Sequence, residues 1–552
     1  MADQRDERRR AVPQDWPGWP ENDAERYRTE GYWEGVTFGA RLRGWARDHG
    51  DRTALVDGAR RWTYARLDRH ADRLAAGFRG LGITRGDRVV VQVPNVAEFV
   101  HVWFALQRVG AVPVHALPGH RRVEISHLVR HSGAVAYVVP DRYRRFDHVA
   151  LASEIAADPS CATLRHVIVA GKPGPHTALD DLLGGVDATA DEEDPSIRPG
   201  DLAALLLSGG TTGVPKLIPR THDDYACNAL AGARVCGLGA DTVYLAVLPV
   251  AFNFTFACPG VLGTLAAGGT VVLAPDPDPA TAFALIARER VTVTAINPPL
   301  AGHWLDEFRP GTTDLSSLRL LQVGSARLAD DLARRIRPEL GVPLQQVFGM
   351  AEGLINYTAP DDPEDLVTTT QGRPCTDADE IRVVDPDDRP VPDGEPGELL
   401  TRGPYTLRGY YRAPEHNRTA FTADGFYRTG DVVRRLPSGH LVVVGRVKDQ
   451  INRGGEKIAA TEVEGHLLAH PDIAQAAVVG VPDARWGERP VAFVVPRPGR
   501  PVPRPRDLAA HLTARGLAAW KAPAEVVAAD GLPLTPVGKI DKNALAARAA
   551  ER

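Results

Sequence analysis

Residues 205–222, LLLSGGTTGVPKLIPRTH, constrain this chain more than any other stretch. The apolar run over residues 202–207 reads as a buried strand. It breaks at once into Ser208, Gly209, Gly210, Thr211, Thr212 and Gly213, followed by Pro215 and Lys216. Glycines let backbone N–H groups approach an anion closely, hydroxyls add donors, and Lys216 adds a point charge suited to phosphate. The familiar nucleotide loop G-x-x-x-x-G-K-[ST] is absent, since proline precedes Lys216 and leucine follows it. A phosphate-cradling loop and a flexible Gly/Ser/Thr linker are the two readings of the composition alone.

At 552 residues the chain exceeds what one core supports, so two or more domains are expected. Sixty-five Lys and Arg against 70 Asp and Glu give a net charge of −5, which argues against a general binder of nucleic acid or anionic membranes. The five cysteines (Cys161, Cys227, Cys236, Cys258, Cys375) form no C-x-x-C pair, which suits a reducing cytoplasm and suggests neither disulfides nor a zinc site. The charged start MADQRDERRR lacks the apolar core of a signal peptide, and no apolar run reaches the roughly 18 residues of a membrane span. A soluble cytoplasmic protein is expected.

Taken in order, residues 1–33 read as an extended arm rich in charge, proline and tryptophan. Helical and strand patterns then alternate: helices at 38–49, 67–81 and 97–110, strands at 88–93, 111–115, 134–139 and 164–169. Further strands are expected at 243–248, 270–273, 291–296 and 318–323, with a helix at 280–290. Such alternation predicts an α/β fold with parallel sheets. Residues 379–400, with the turn pair Asp393-Gly394, suggest a β-rich subdomain. From about Asp449 a separate α+β segment begins. The domain reading is therefore a large core at 1–447 and a small mobile lid at 448–552.

Four further stretches accompany the Gly/Ser/Thr loop: Gln345 to Glu352 (QQVFGMAE), Tyr427 to Asp431 (YRTGD), Gly445 to Lys457 (GRVKDQINRGGEK) and Pro533 to Ile540 (PLTPVGKI). In this order they resemble the adenylate-forming superfamily of acyl-CoA synthetases, luciferases and adenylation domains. The resemblance implies ATP and Mg²⁺. It makes residues 208–213 and Lys216 the phosphate loop, with Gly324, Ser325, Ala326, Gly349 and Met350 around the adenine. Glu352 becomes the Mg²⁺ ligand, Asp431 and Arg446 ribose contacts, Lys448 the hinge of the lid, and Lys539 the catalytic lysine. Gly454 and Gly455 would face the site after lid rotation.

The wording of PRTHDDY (219–225), LQQVFGMAEG (344–353), LTRGPYTLRGYY (400–411) and KDQINRGGEK (448–457) is similar, over nearly the whole chain, to stand-alone aryl-acid AMP ligases of siderophore pathways, which activate 2,3-dihydroxybenzoate or salicylate. That resemblance places Phe252, Asn253, Phe254 and Cys258 in the aryl pocket, Asn253 reading an ortho substituent. Cys258 stands where dihydroxybenzoate enzymes carry serine. A thiol pairs a 3-hydroxyl poorly, and the lost hydrogen bond of ~1–3 kcal/mol favours salicylate. Phe252 departs from the subgroup's histidine and leaves 3-hydroxyanthranilate, benzoate and hydroxypicolinate open. The alternation Phe252, Phe254, Phe256 also reads as core packing of a strand. The implied acceptor is the phosphopantetheine thiol of an aryl carrier protein, with coenzyme A or an amine as alternative acceptors; a non-catalytic nucleotide-binding protein is the alternative of another class. A homodimer is implied by analogy alone.

Overall fold

Parallel pairing of short apolar strands builds the first two sheets. The computed structural model describes residues 15–184, 194–208, 215–453, 456–483, 485–535 and 539–551. Among these, the larger sheet runs in the order Arg373–Pro374, Gly353–Tyr357, Leu344–Met350, Leu320–Gly324, Val293–Ile296, Val243–Ala246, Thr270–Leu273, Thr53–Asp57, Arg60–Thr63. Its inner strands are parallel; Gly353–Tyr357 turns back antiparallel on Leu344–Met350. The second sheet runs Leu217–Thr221, Leu202–Leu207, Val112–His115, Arg88–Val91, Ala136–Pro140, His166–Ala170, Thr177–Ala178.

Strands covered by helices on both faces must be apolar throughout. Ala136–Pro140 and Val293–Ile296 are accordingly buried at every position. One apolar cluster joins the two sheets around the helix Ala97–Val109, whose Phe99, Trp103 and Phe104 are fully buried. Gly110 closes that helix in the left-handed region at φ +73°, the usual geometry of a C-terminal glycine.

The amino-terminal arm is not simply extended. Residues Glu21–Thr29 form a helix with Glu21 and Asp23 in its first turn and Arg26 and Arg28 in its last, charges that complement the helix dipole. Trp19 packs edge to face on Tyr27 of this helix and on Trp33, and Trp33 Nε1 donates to Pro404 O at 2.8 Å. The ion pairs Arg28–Asp223 (2.7 Å) and Arg408–Asp23 (3.0 Å) tie the segment to the body. Amphipathic charge placement makes helix of a segment whose prolines read as extended.

The β-rich portion is an antiparallel meander of Glu380–Val384, Pro396–Arg402, Tyr427–Arg435 and Leu441–Arg446. After the one-turn helix Val447–Asp449 the chain enters another sheet, Glu456–Ala459, Gln450–Arg453, Gly487–Pro496 and Ile473–Asp483, with Glu525–Ala528 paired to Gly487–Pro496. Its two apolar clusters draw only on residues between Ile451 and Ala549, a core of their own. Among the described residues, no helix is long and apolar enough to cross a membrane.

Candidate active site

The strand predicted ahead of the Gly/Ser/Thr loop exists and pairs antiparallel with Leu217–Thr221, which follows the loop. Its base is closed twice. Ser208 N donates to Lys216 O at 3.0 Å, and Lys216 N donates to Ser208 Oγ at 3.0 Å. Leu217–Thr221 ends its sheet, which is where Pro219 can sit without breaking a ladder. Gly209, Gly210, Thr211, Thr212 and Gly213 lie outside the described residues. Lys216 Nζ stands 5.7 Å over the ring of Tyr410.

Glu352 occupies the two-residue reversal between Leu344–Met350 and Gly353–Tyr357, where Met350 pairs with Gly353. Gly353 is required there by close approach: a Cβ would stand 2.5 Å from Thr406 Cα. Glu352 is 8% exposed. Tyr410 donates to its Oε1 at 2.9 Å and shares a 2.8 Å hydrogen bond with the hydroxyl of Tyr427. Burial raises the Glu352 pKa, opposed by the Tyr410 hydrogen bond and by the charges of Arg446 and Lys539. Arg220, itself buried, donates to Ala351 O at 2.9 Å while Nε meets Asp224 Oδ1 at 2.6 Å.

Asp431 and Arg446 face each other in register on neighbouring strands, and Arg446 Nε donates to Asp431 Oδ1 at 2.8 Å. Lys539 comes from the far end of the chain to join them. It sits half-buried on a hairpin in which Leu534 pairs with Ile540 and Thr535 N donates to Lys539 O. Burial, with the cations Arg446 and Lys448, pushes its pKa down to about 8 against the pull of Asp431 and Glu352. Burial and Arg446 likewise lower Lys448. Gly454 and Gly455 lie outside the described residues.

The strand Leu320–Gly324 ends with Gly324 paired to Val347, on the strand that leads to Glu352, and Ser325 and Ala326 follow it. Ser325 adopts φ +75°, an uncommon conformation for a residue with a Cβ, and its buried hydroxyl has no partner among the described residues. Strain and an unpaired buried donor together mark a place built for a ligand. Gly324 is hemmed by Val347 O at 2.7 Å and Phe254 Cζ at 2.9 Å from the position of a Cβ, so Phe254 abuts this turn. Gly349 and Met350 lie on the neighbouring strand.

Phe252 to Cys258 do not form a strand. Phe252 precedes the helical turn Asn253–Ala257, so the Phe alternation is not a pleat. Phe254 and Phe256 are both buried in the core, Phe256 against Phe99, Trp103 and His115; Phe252 keeps partial exposure. Pro249 O accepts from Phe252 N, and Phe252 O accepts from Thr255 N and Phe256 N, which coils the segment. Asn253 is 7% and Cys258 5% exposed. Tyr225 donates to Asn253 Oδ1 at 2.9 Å and Asn253 Nδ2 donates to Cys258 Sγ at 3.3 Å. One N–H of Asn253 is then left for a ligand. Burial pushes the Cys258 thiol up to about 12, so it stays protonated.

The fold thus brings Lys216, Glu352, Asp431, Arg446, Lys448 and Lys539 into mutual electrostatic reach, while Phe254, between Asn253 and Cys258 in the chain, abuts the turn at Gly324. Sequence reading gave no role to Arg220, Tyr225 or Tyr410. An arginine inside an apolar strand was the available signal for Arg220; the tyrosines carry none. Glu352 suits Mg²⁺, a hard cation that takes one or two carboxylates and completes its shell with phosphates and water. Among the described residues no cluster of three or more His, Cys, Asp or Glu could hold a metal alone.

Cations and carboxylates from four separate segments of the chain, Lys216, Glu352, Asp431 with Arg446, and Lys539, thus act on one another near the strained turn at Ser325. The chain belongs to the AMP-binding enzyme family, whose model matches residues 42–411, while the AMP-binding enzyme C-terminal domain matches residues 462–539. It is 52% identical over 534 residues to a 2,3-dihydroxybenzoate-AMP ligase of Bacillus subtilis (97% of both chains). It is 51% identical to a salicyl-AMP ligase / salicyl-S-ArCP synthetase of Mycobacterium tuberculosis (96% of this chain, 93% of the other). Among solved structures it resembles Mycobacterium smegmatis MbtA in its apo form, with a TM-score of 0.75 and 48% identity over 97% of this chain and 99% of the other.

Proposed function

We propose that this protein is an aryl-acid adenylating enzyme that converts salicylate, or another ortho-substituted benzoate, and ATP into aryl-AMP and pyrophosphate. It then passes the aryl group to the phosphopantetheine thiol of a carrier protein. The observation that carries the aryl reading is the buried Tyr225–Asn253–Cys258 chain beside the Gly324 turn. Asn253 has a donor to give an ortho oxygen, and the protonated Cys258 offers little to a 3-hydroxyl. The names of the relatives, one for 2,3-dihydroxybenzoate and one for salicylate, support the same substrate class.

In the first half-reaction a carboxylate oxygen attacks the α-phosphorus of ATP and the bond to pyrophosphate breaks. No covalent enzyme group is needed; the work is positioning and charge neutralisation. Lys216 and the loop 208–213 bind the phosphates, Gly324 to Ala326 with Gly349 and Met350 flank the adenine, and Asp431 accepts from the ribose hydroxyls with Arg446 alongside. Lys539 meets the negative charge shared between carboxylate and α-phosphate. Glu352 holds Mg²⁺, which when bound neutralises phosphate charge. The lid, residues 448–552, then turns about Lys448, removing Lys539 and admitting the thiol. Thiolate attack on the acyl carbon expels AMP. Free cysteines, with no disulfide among the described residues, suit a cytoplasmic enzyme.

The test is ATP–pyrophosphate exchange with salicylate, 2,3-dihydroxybenzoate, 3-hydroxyanthranilate, anthranilate, benzoate, 3-hydroxypicolinate and a fatty acid. Exchange led by an ortho-substituted aryl acid is expected, and a fatty acid as the best substrate would sink the pocket argument. Offering carrier protein, coenzyme A and an amine to the preformed adenylate identifies the acceptor.

A further inference from the structure

Tyr410 touches two of the groups assigned above and is held more firmly than packing requires. It is 3% exposed. Its hydroxyl donates to Glu352 Oε1 at 2.9 Å and shares the 2.8 Å hydrogen bond with Tyr427. Its ring lies 5.7 Å beneath Lys216 Nζ, within cation–π range. Asn417 clamps its backbone at both groups, accepting from Tyr410 N at 2.8 Å and donating to Tyr410 O at 3.0 Å. The ring of His416 packs on it at 5.0 Å. A phenylalanine would fill the same volume and stack under the same lysine. What the hydroxyl adds is one oriented donor to one oxygen of a buried carboxylate, leaving the remaining lone pairs of Glu352 for a cation.

We propose that Tyr410 is a positioning residue: its hydroxyl sets the Glu352 carboxylate for Mg²⁺, and its ring sets Lys216 for the nucleotide phosphates. Hydrogen bonds to a ligating carboxylate commonly govern metal affinity, and removing one weakens it by about 10- to 100-fold. The proposal rests on Glu352 being the metal ligand, so the experiment treats that separately.

Mn²⁺ substituted for Mg²⁺ is titrated by electron paramagnetic resonance into the full-length protein saturated with α,β-methylene-ATP. Nucleotide affinity in EDTA is measured by calorimetry. Tyr410→Phe is expected to weaken Mn²⁺ binding roughly tenfold and leave metal-free nucleotide affinity unchanged. Tyr410→Leu, which removes the ring as well, is expected to weaken both. Glu352→Gln serves as the reference and is expected to weaken Mn²⁺ binding at least as much as Tyr410→Phe. If Glu352→Gln weakens Mn²⁺ binding and Tyr410→Phe does not, the role of Tyr410 is overturned and that of Glu352 stands. Wild-type Mn²⁺ affinity in Glu352→Gln overturns the ligand assignment and the proposal with it.

Discussion

Arg446 Nε donates to Asp431 Oδ1 at 2.8 Å, across two antiparallel strands in which the residues sit directly opposite. The pair orients an acidic acceptor that is 5% exposed, and its partner is the last residue before the turn leading to the lid. On the proposed function, a ribose would meet here a carboxylate whose position is already fixed. Asp431→Asn weakens a charge-assisted hydrogen bond of about 1.5–3 kcal/mol. Its KM for ATP in pyrophosphate exchange is expected to rise roughly ten- to a hundredfold while the KM for the aryl acid holds. An unchanged KM for ATP would remove Asp431 from the ribose.

Lys539 should serve one half-reaction only. Lys539→Ala is expected to slow pyrophosphate exchange about 100- to 1,000-fold, the usual scale for one electrostatic donor. Transfer from chemically prepared aryl-AMP to the carrier thiol should proceed as in wild type. Comparable losses in both steps would contradict a lid that swaps Lys539 out.

The pH dependence follows from the same residue. Burial with Arg446 and Lys448 depresses the Lys539 pKa to about 8, so the ammonium is present below that pH and lost above it. Since kcat/KM reports groups of the free enzyme, kcat/KM for adenylation is expected to fall as pH rises through about 8. In Lys539→Arg, whose guanidinium stays charged, that fall should vanish from the profile whatever activity remains.

Substrate choice is expected to turn on Cys258, which takes its hydrogen bond from Asn253. Cys258→Ser supplies a hydroxyl able to pair a 3-hydroxyl. The ratio of kcat/KM for 2,3-dihydroxybenzoate over salicylate should rise about ten- to a hundredfold, the equivalent of ~1–3 kcal/mol. A ratio within experimental error of wild type would place the ring's 3-position elsewhere.

Arg220 is a structural support of the site. Its guanidinium is buried between Asp224 and Ala351 O. Removing one partner of a buried ion pair leaves an uncompensated charge, at a cost of about 3–5 kcal/mol. Arg220→Ala is therefore expected to lower the urea midpoint of the large domain markedly, and a midpoint equal to wild type would show that Asp224 is satisfied without it.

The parallel strands, the helix Ala97–Val109, the β-rich meander and the separate core after residue 450 were all legible in the sequence. Each is a local periodicity: runs apolar enough to be buried on both faces, or a stripe at helical spacing. Lys216, Glu352, Asp431 and Lys539 were singled out because the short runs around them resemble the adenylate-forming superfamily; the residues alone read equally as turn or surface side chains. Side-chain pattern misled in two places. Phe252, Phe254 and Phe256 alternate like a strand, yet backbone hydrogen bonds to Pro249 O and Phe252 O wind them into a helical turn. The arm holding Tyr27 forms a helix at Glu21–Thr29, where acidic residues in the first turn and basic ones in the last suit the helix dipole, and its pairs with Asp223 and Arg408 dock it on the body.

Only the tertiary structure set Lys539 beside Asp431, more than a hundred residues earlier, and made Tyr410 the link between Lys216 and Glu352. Sequence dictates which residues are able to do chemistry, since side-chain type and local turn propensity are carried by the chain itself. Which of them meet, and with what pKa, is decided by burial and by charges brought near from distant segments, quantities that exist only once the chain has folded.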